Sequence, residues 1–322
     1  MYIGIDVGGT NLVAGIVTAD GVLLKKAQRK CGSERGAEAV MADILGVAVD
    51  VCQKAGISAG EIEQIGLGIP GAVDDKNGKV IFSPNIPLSG VALSEIVRSR
   101  WGDTAHGGQG RDVAVHLIND ADAAAFGEFS AGSAKGYRNM MLITLGTGLG
   151  GGIVIDGKVF SGANNIGAEI GHLVIEHGGR PCNCGRLGCC EKYAAASGLI
   201  SLAQEQMARD KNSALWRLAP NPADVEGQMV FMAAAEGDKS AQDVIALYID
   251  YLANGISSII NIFQPEVICL GGGVSNAGDA LLMPLREIVA KDTFRHPEKN
   301  TEIRIASLGN DAGIIGAALA KT

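Results

Sequence analysis

The chain has no excess of positive charge: 27 lysines and arginines stand against 35 aspartates and glutamates, a formal net charge of −8. That balance argues against a broad basic face for nucleic acid or an anionic membrane. No apolar run reaches transmembrane length. The start, Tyr2-Ile3-Gly4-Ile5, reads as a strand and not as a basic segment with a signal core, so the expected location is the cytoplasm and no membrane partner is expected. A Walker Gly-Lys-Ser/Thr is missing, and so is a dinucleotide fingerprint at a helix start. The 7 cysteines are odd in number and form no regular disulfide framework, which fits a reducing compartment; Cys31, Cys52 and Cys269 read as ordinary small residues.

What the chain does have is glycine, 46 residues of it, gathered at turn-like positions where a backbone can approach a ligand closely. It also has one dense stretch of soft and borderline ligands. His172 precedes Cys182-Asn-Cys184-Gly-Arg-Leu-Gly-Cys189-Cys190-Glu191, and the set His172, Cys182, Cys184 and Cys189 would close a tetrahedral Zn²⁺ shell with no position left for a catalytic water. A disulfide pair or inert buried thiols are the alternatives. Glu169, three residues before His172, and Glu191, just after the last ligand, would then be rigidly held carboxylates, suited to accept hydrogen bonds from the hydroxyls of a polyol or sugar.

The first segment predicts strand, glycine-rich turn, strand, Asp20-Gly21 turn, strand, with the turn reading Asp6-Val-Gly8-Gly9-Thr10-Asn11. A helix follows through Ala37, Val40, Met41, Ile44, Ala48, Val51 and Cys52, ending near Gly56. Further along come a strand at Ile65 to Ile69, a hairpin at Asn77-Gly78, a helix around Leu93 to Arg98, an exposed loop from Thr104 to Arg111 and a strand at Val113 to Leu117. The pattern then repeats from Met140: strand, Gly146-Thr147-Gly148, strand, Asp156-Gly157, strand. Two matched units imply two similar α/β domains facing one another across a cleft. The expected division is an N-terminal domain over 1–120, with a helix of about 312–322 packing back on it, and a C-terminal domain over 121–311 that carries the metal loop.

The chemistry follows from placement. Two glycine tips and Gly271-Gly272-Gly273 suit the phosphates of a nucleotide, although each tip alone is often just a tight turn; Asp6 offers hard oxygens for Mg²⁺. Asp120, at the end of a strand, is the candidate general base for phosphoryl transfer to a hydroxyl, and Asn119 a candidate sugar contact. Asn-Asp before a helix is also a common N-cap.

Taken together, the segments Asp6 to Asn11, Asn119-Asp120-Ala, Leu145 to Gly150, Glu169-Ile-Gly-His172, Cys182 to Glu191 and Leu270 to Gly273 resemble the ROK family of sugar kinases and related repressors, and are most similar to its bacterial glucokinases. The resemblance covers almost the whole chain. It implies two actin-like, ribonuclease-H-like ATPase domains around an interdomain cleft, with a zinc-clamped loop. It implies ATP-dependent phosphorylation of glucose at its 6-hydroxyl, or of another hexose such as fructose, mannose, allose, N-acetylmannosamine or N-acetylglucosamine. A non-catalytic sugar-binding regulator is the lesser alternative, and a repressor would need a DNA-binding segment ahead of Asp6. By the same resemblance Asp120 is the base, and Asn85, Asn119, Glu169, His172 and Glu191 touch the hexose. Gly8, Gly9, Thr10 and Asn11 form the first phosphate loop, Gly146, Thr147 and Gly148 the second, and Gly271 to Gly273 lie on the adenosine side. ATP, Mg²⁺ and structural Zn²⁺ are the implied cofactors, and a homo-oligomer, dimer or tetramer, the implied assembly. Cys190 stands where the family has an aliphatic residue, and the stretch from Thr104 to Arg111 is longer than its pattern suggests.

Overall fold

The structure, a computed structural model, describes residues 1–106, 113–294 and 300–320. The first group of elements is built around a hairpin of β1 (Tyr2–Val7) and β2 (Asn11–Val17), continued by β3 (Leu23–Lys30) through a turn in which Gly21 takes φ +88°. Helix α1 (Ala37–Ala55) buries Val40, Met41, Ile44, Ala48 and Val51, the stripe its spacing dictates, and stops where Gly56 adopts the left-handed conformation and donates back to Cys52 and Gln53 carbonyls. Strand β4 (Gln64–Ile69) is buried along its whole length; β5 (Ala72–Asp74) and β6 (Lys79–Phe82) pair separately. Helix α2 (Leu93–His106), strand β7 (Ala114–Asn119) and helix α3 (Asp120–Ala131) complete the group. The loop expected from Thr104 is thus helical backbone as far as His106, and the rest of that stretch lies outside the described residues.

The second group opens with β8 (Met140–Leu145), β9 (Leu149–Ile155) and β10 (Lys158–Val159). Helices α4 (Glu191–Ala194), α5 (Ala196–Arg209), α6 (Leu215–Leu218), α7 (Gly227–Ala235) and α8 (Lys239–Phe263) follow. Strand β11 (Val267–Gly271), helix α9 (Asp279–Asp292), strand β12 (Glu302–Ile305) and helix α10 (Ala312–Leu319) close the chain. The two large sheets run β3-β2-β1-β4-β7 and β10-β9-β8-β11-β12. In each, the strand before the glycine tip is central, the next two strands lie to one side, and two parallel strands lie to the other, so the repeat read in the sequence is a repeat of topology.

Helix α8 is long and apolar on average, although no uninterrupted apolar run spans it. By length and composition it would reach across a bilayer, but half of its apolar window is buried inside the fold, and the buried Tyr248 donates to the Ala194 carbonyl at 2.8 Å. A run-based reading passes over it because Asp243 and Asp250 interrupt the apolar sequence.

Two compact units emerge: Met1–Asn139 with Gly152–Ala168 and the segment from Ser307 onward, and Met140–Gly151 with Glu169–Ala306. The first division of the chain therefore falls after Asn139, whereas the sequence suggests residue 120. The reason lies in α3, which packs against α10: a Cβ on Gly127 would sit 2.1 Å from the Ala312 carbonyl oxygen, and one on Gly316 would sit 1.7 Å from that of Ala123. Helix α10 also presses on the first sheet, where added Cβ atoms on Gly4 and Gly66 would meet Ile314 and Ala317 carbonyl oxygens at 1.8 and 1.7 Å. Only glycine allows a helix backbone that close to a strand.

Candidate functional site

In the first unit, the parallel registers pairing Asp6 with Gly68 and Ile69 with Asn119 bring the carboxyl ends of β1, β4 and β7 together. Ligands of open α/β sheets gather at such ends. Asp120 is exposed as the first residue of α3, and Asp6 is half-buried. The Asp6 carboxyl is held above the usual carboxylate range by burial and, second, by the charge of Asp120. Asn119 is the N-cap: its Oδ1 accepts from the Ala121 and Asp122 amides at 2.9 and 3.1 Å, and its Nδ2 donates to the Gly71 carbonyl at 2.9 Å. The capping alternative therefore holds for Asn119, and Asp120 follows it into the first turn. A locked cap gives Asp120 a fixed starting point.

The first glycine tip lies on the same unit. Gly8 donates to the Asn11 carbonyl at 3.0 Å, Cys31 N–H to that of Thr10 at 2.8 Å, and Ser33 Oγ to that of Gly9 at 2.9 Å. Asn85 is exposed beside it, its carbonyl oxygen 3.5 Å from where a Gly9 Cβ would be. Ser33 was not singled out by the sequence, since nothing local marks a serine that braces a turn from a distance. Nor was a cavity of about 450 Å³ lined by Asn119, Asp122, Phe126, Lys158 and Ser161, in which Ser161 Oγ donates to Asp122 at 3.3 Å.

In the second unit, the donor atoms of His172, Cys182, Cys184 and Cys189 all lie within 4.8 Å of one another. Cys182 Sγ is 3.6 Å from His172 Nδ1, and the Cys184 and Cys189 sulfurs are 3.6 Å apart. A tetrahedral ion with bonds of about 2.0–2.3 Å spaces its ligands by roughly 3.5–3.8 Å, so the residues present fit a metal ion. The turns are made by Gly185 and Gly188, both left-handed, and a Cβ on Gly188 would come 1.7 Å from the Glu176 carbonyl oxygen. A hydrogen bond from the Arg186 amide lowers the exposed Cys184 thiol, whereas burial pushes Cys189 up to about 12. Cys190 lies outside the cluster, its sulfur against Gly255 of α8, and burial pushes it up to about 12 as well.

The carboxylates flank this cluster. Glu169 is exposed, with Oε2 4.0 Å from His172 Nε2, so the imidazole has one nitrogen toward the sulfurs and the other toward Glu169. Glu191 begins α4; its Oε1 is 4.0 Å from Cys182 Sγ, and its Oε2 accepts the Leu149 amide at 3.2 Å, at the foot of the second glycine tip. In that tip Gly146 donates to the Gly148 carbonyl at 3.1 Å and accepts from Ala196 N–H at 2.8 Å, leaving Thr147 exposed at the apex. Gly271 ends β11, Gly272 has φ +84° with its backbone against Leu145, and Gly273 starts a 3₁₀ turn, so the triple glycine lies beside the same tip.

Residues 2–322 match the ROK family. A curated glucokinase of Thermotoga maritima is 37% identical over 317 residues, covering 98% of this chain and 95% of its own. The crystal structure of a ROK family glucokinase from Streptomyces griseus in complex with glucose and AMPPNP superposes with a TM-score of 0.76 at 32% identity, covering 98% of this chain and 97% of that one. A xylose repressor of Caldicellulosiruptor bescii is 28% identical over 78% of this chain and 60% of its own length.

Proposed function

The chain belongs to the ROK family, and we propose that within it the protein works as a glucokinase, moving the γ-phosphoryl group of ATP to the 6-hydroxyl of glucose. The observation that carries this reading is the carboxylate pair at one sheet end: Asp120 exposed and ready to accept a proton, Asp6 half-buried with its charge disfavoured beside it.

The chemistry assigned to these residues is short. As the hexose O6 bonds to the γ-phosphorus, its proton passes to Asp120 Oδ, and the bond from that phosphorus to the β,γ-bridging oxygen breaks, the electron pair leaving with ADP. Asp6 would hold Mg²⁺, whose bound charge neutralises the phosphate oxygens. The fit rests on the raised Asp6 carboxyl, since a cation offsets both its burial and its repulsion from Asp120. Asn119, locked as a cap, and Asn85 offer amide groups to the sugar; Glu169, His172 and Glu191 offer acceptors and an imidazole nitrogen. Gly8 to Asn11, Gly146 to Gly148 and Gly271 to Gly273 are assigned to the nucleotide. His172, Cys182, Cys184 and Cys189 would hold Zn²⁺ as a closed structural site, which fixes the loop between Glu169 and Glu191.

The test is ADP release from ATP and Mg²⁺ over a panel of hexoses, with kcat/KM highest for glucose. Faster turnover of another hexose would overturn the sugar assignment and leave the kinase; no turnover of any hexose would overturn the kinase.

A further inference from the structure

Among the described residues, Glu191 is the side chain that links the metal-ligand loop to the second glycine tip. It follows Cys189 by two positions and starts α4, so its backbone is placed by the loop that the four donors gather. Its side chain reaches back to the tip: Oε2 takes the Leu149 N–H at 3.2 Å, and a Cβ on Gly148 would fall 2.6 Å from that same oxygen. Leu149 itself is buried, so this amide has little recourse to water. The tip's other bonds, from Gly146 to Gly148 and from Ala196 to Gly146, close the turn and join it to α5. Among the described residues, Glu191 gives it a side-chain hydrogen bond to the metal loop, beside the packing of Gly171 on the Leu149 carbonyl.

We infer that Glu191 is a positioning residue for the phosphate-binding tip: its carboxylate fixes the Leu149 amide, holds Gly146 to Gly148 in the shape that receives a nucleoside triphosphate, and so makes donor affinity depend on the metal-clamped loop. This rests on the assignment of that tip to the nucleotide. It adds to the hexose contact proposed for Glu191, because each carboxylate oxygen has a further lone pair to offer. It also explains why glycine stands at position 148, where any side chain would dislodge the carboxylate.

The experiment is calorimetric titration of the metal-loaded protein with a non-hydrolysable ATP analogue and Mg²⁺, with no hexose present. Glu191→Ala should bind the analogue about tenfold more weakly, the scale of one charge-assisted hydrogen bond, with its metal content unchanged by elemental analysis. Glu191→Asp keeps the charge but is one methylene too short, and should lose as much; Glu191→Gln keeps an acceptor at the same reach and should lie within about threefold of the parent. Gly148→Ala should reproduce the loss, and Gly148→Ala with Glu191→Ala should be no weaker than either, since both remove one contact. If Glu191→Ala fails to fold in thermal denaturation, the aspartate and glutamine pair carries the test. Unchanged analogue affinity in the alanine and aspartate variants, additive losses in the double variant, or loss of metal alongside loss of affinity would each overturn the inference. A parent protein that binds no analogue would overturn the nucleotide assignment on which it stands.

Discussion

Where β1 turns into β2, the supports are a backbone pair across the turn, the Cys31 amide and the Ser33 hydroxyl, and the neighbouring charges are Asp6 and Asp120. Where β8 turns into β9, the supports are a backbone pair across the turn, the Ala196 amide and the Glu191 carboxylate, and the neighbours are the cluster of His172, Cys182, Cys184 and Cys189 and a triple glycine. The strand order is the same in both sheets; the bracing is not. Duplication supplies two equivalent openings at strand ends, and the residues just outside each sheet decide what it does. In the proposed reaction the first supplies the acids, one for proton transfer and one for a cation. On the role inferred for Glu191, the geometry of the second depends on the loop of His172 and the cysteines.

The largest effect should come from the first tip's neighbour. Asp120→Asn is expected to lower kcat by about 10²-fold or more, the scale of a general base, with hexose KM changed far less; steady-state kinetics check it, and near-normal kcat would leave the two tips without the chemical contrast drawn above. Next comes the second tip's clamp. Cys184→Ser should cost about 100-fold or more in metal affinity, beyond the range seen for outer-shell changes, read as metal per chain after dialysis against a weak chelator. Hexose and nucleotide affinity should fall together in that variant, whereas Asp120→Asn should leave nucleotide affinity in place.

Two smaller effects sharpen the contrast within the first unit. Gly316→Ala should destabilise by about 3 kcal/mol, because its Cβ would enter the Ala123 carbonyl; the shift in denaturant midpoint reads it, and metal content should not move. Asp6→Asn should raise the Tm of Mg²⁺-free protein slightly at pH 7. The sign follows from the raised carboxyl: the folded state holds the proton more tightly, so the ionised acid costs stability above its folded pKa, and that cost fades as pH falls through it. The stabilisation by asparagine should therefore vanish in acid, and a gain that persists there would point to packing instead.

Much of this was legible in local pattern. The Asp20-Gly21 and Asp156-Gly157 turns, the Gly56 stop and the repeated strand, tip, strand unit are all set by short-range backbone requirements. The gathering of His172, Cys182, Cys184 and Cys189 was legible because these residue types and the turn glycines sit close in sequence. Other features depend on contacts that no local pattern carries. The bond from the Asn119 amide to the Gly71 carbonyl, which locks its capping geometry, spans 48 positions. The hold of Glu191 on Leu149 spans 42 positions. The chain's division at Asn139 is decided by α10, whose glycine contacts claim α3 for the first unit from the far end of the sequence. Helix α2 runs on past Arg98 to His106 although its sequence turns polar.

Helix α10 has a consequence for how the protein is made. Strands β1 and β4 and helix α3 are synthesised well before residues 312–319, which fill the groove their glycines form. Until they arrive, Val17 and the face of the first sheet that carries Gly4 and Gly66 lack their covering layer, so the first unit is not the first able to finish folding. The second unit, complete by Ala306, can close beforehand. A nascent chain stalled before Gly313 should be open to protease in its first hundred residues while the segment from Glu169 to Ala306 is already protected, and release of the last helix should seal both.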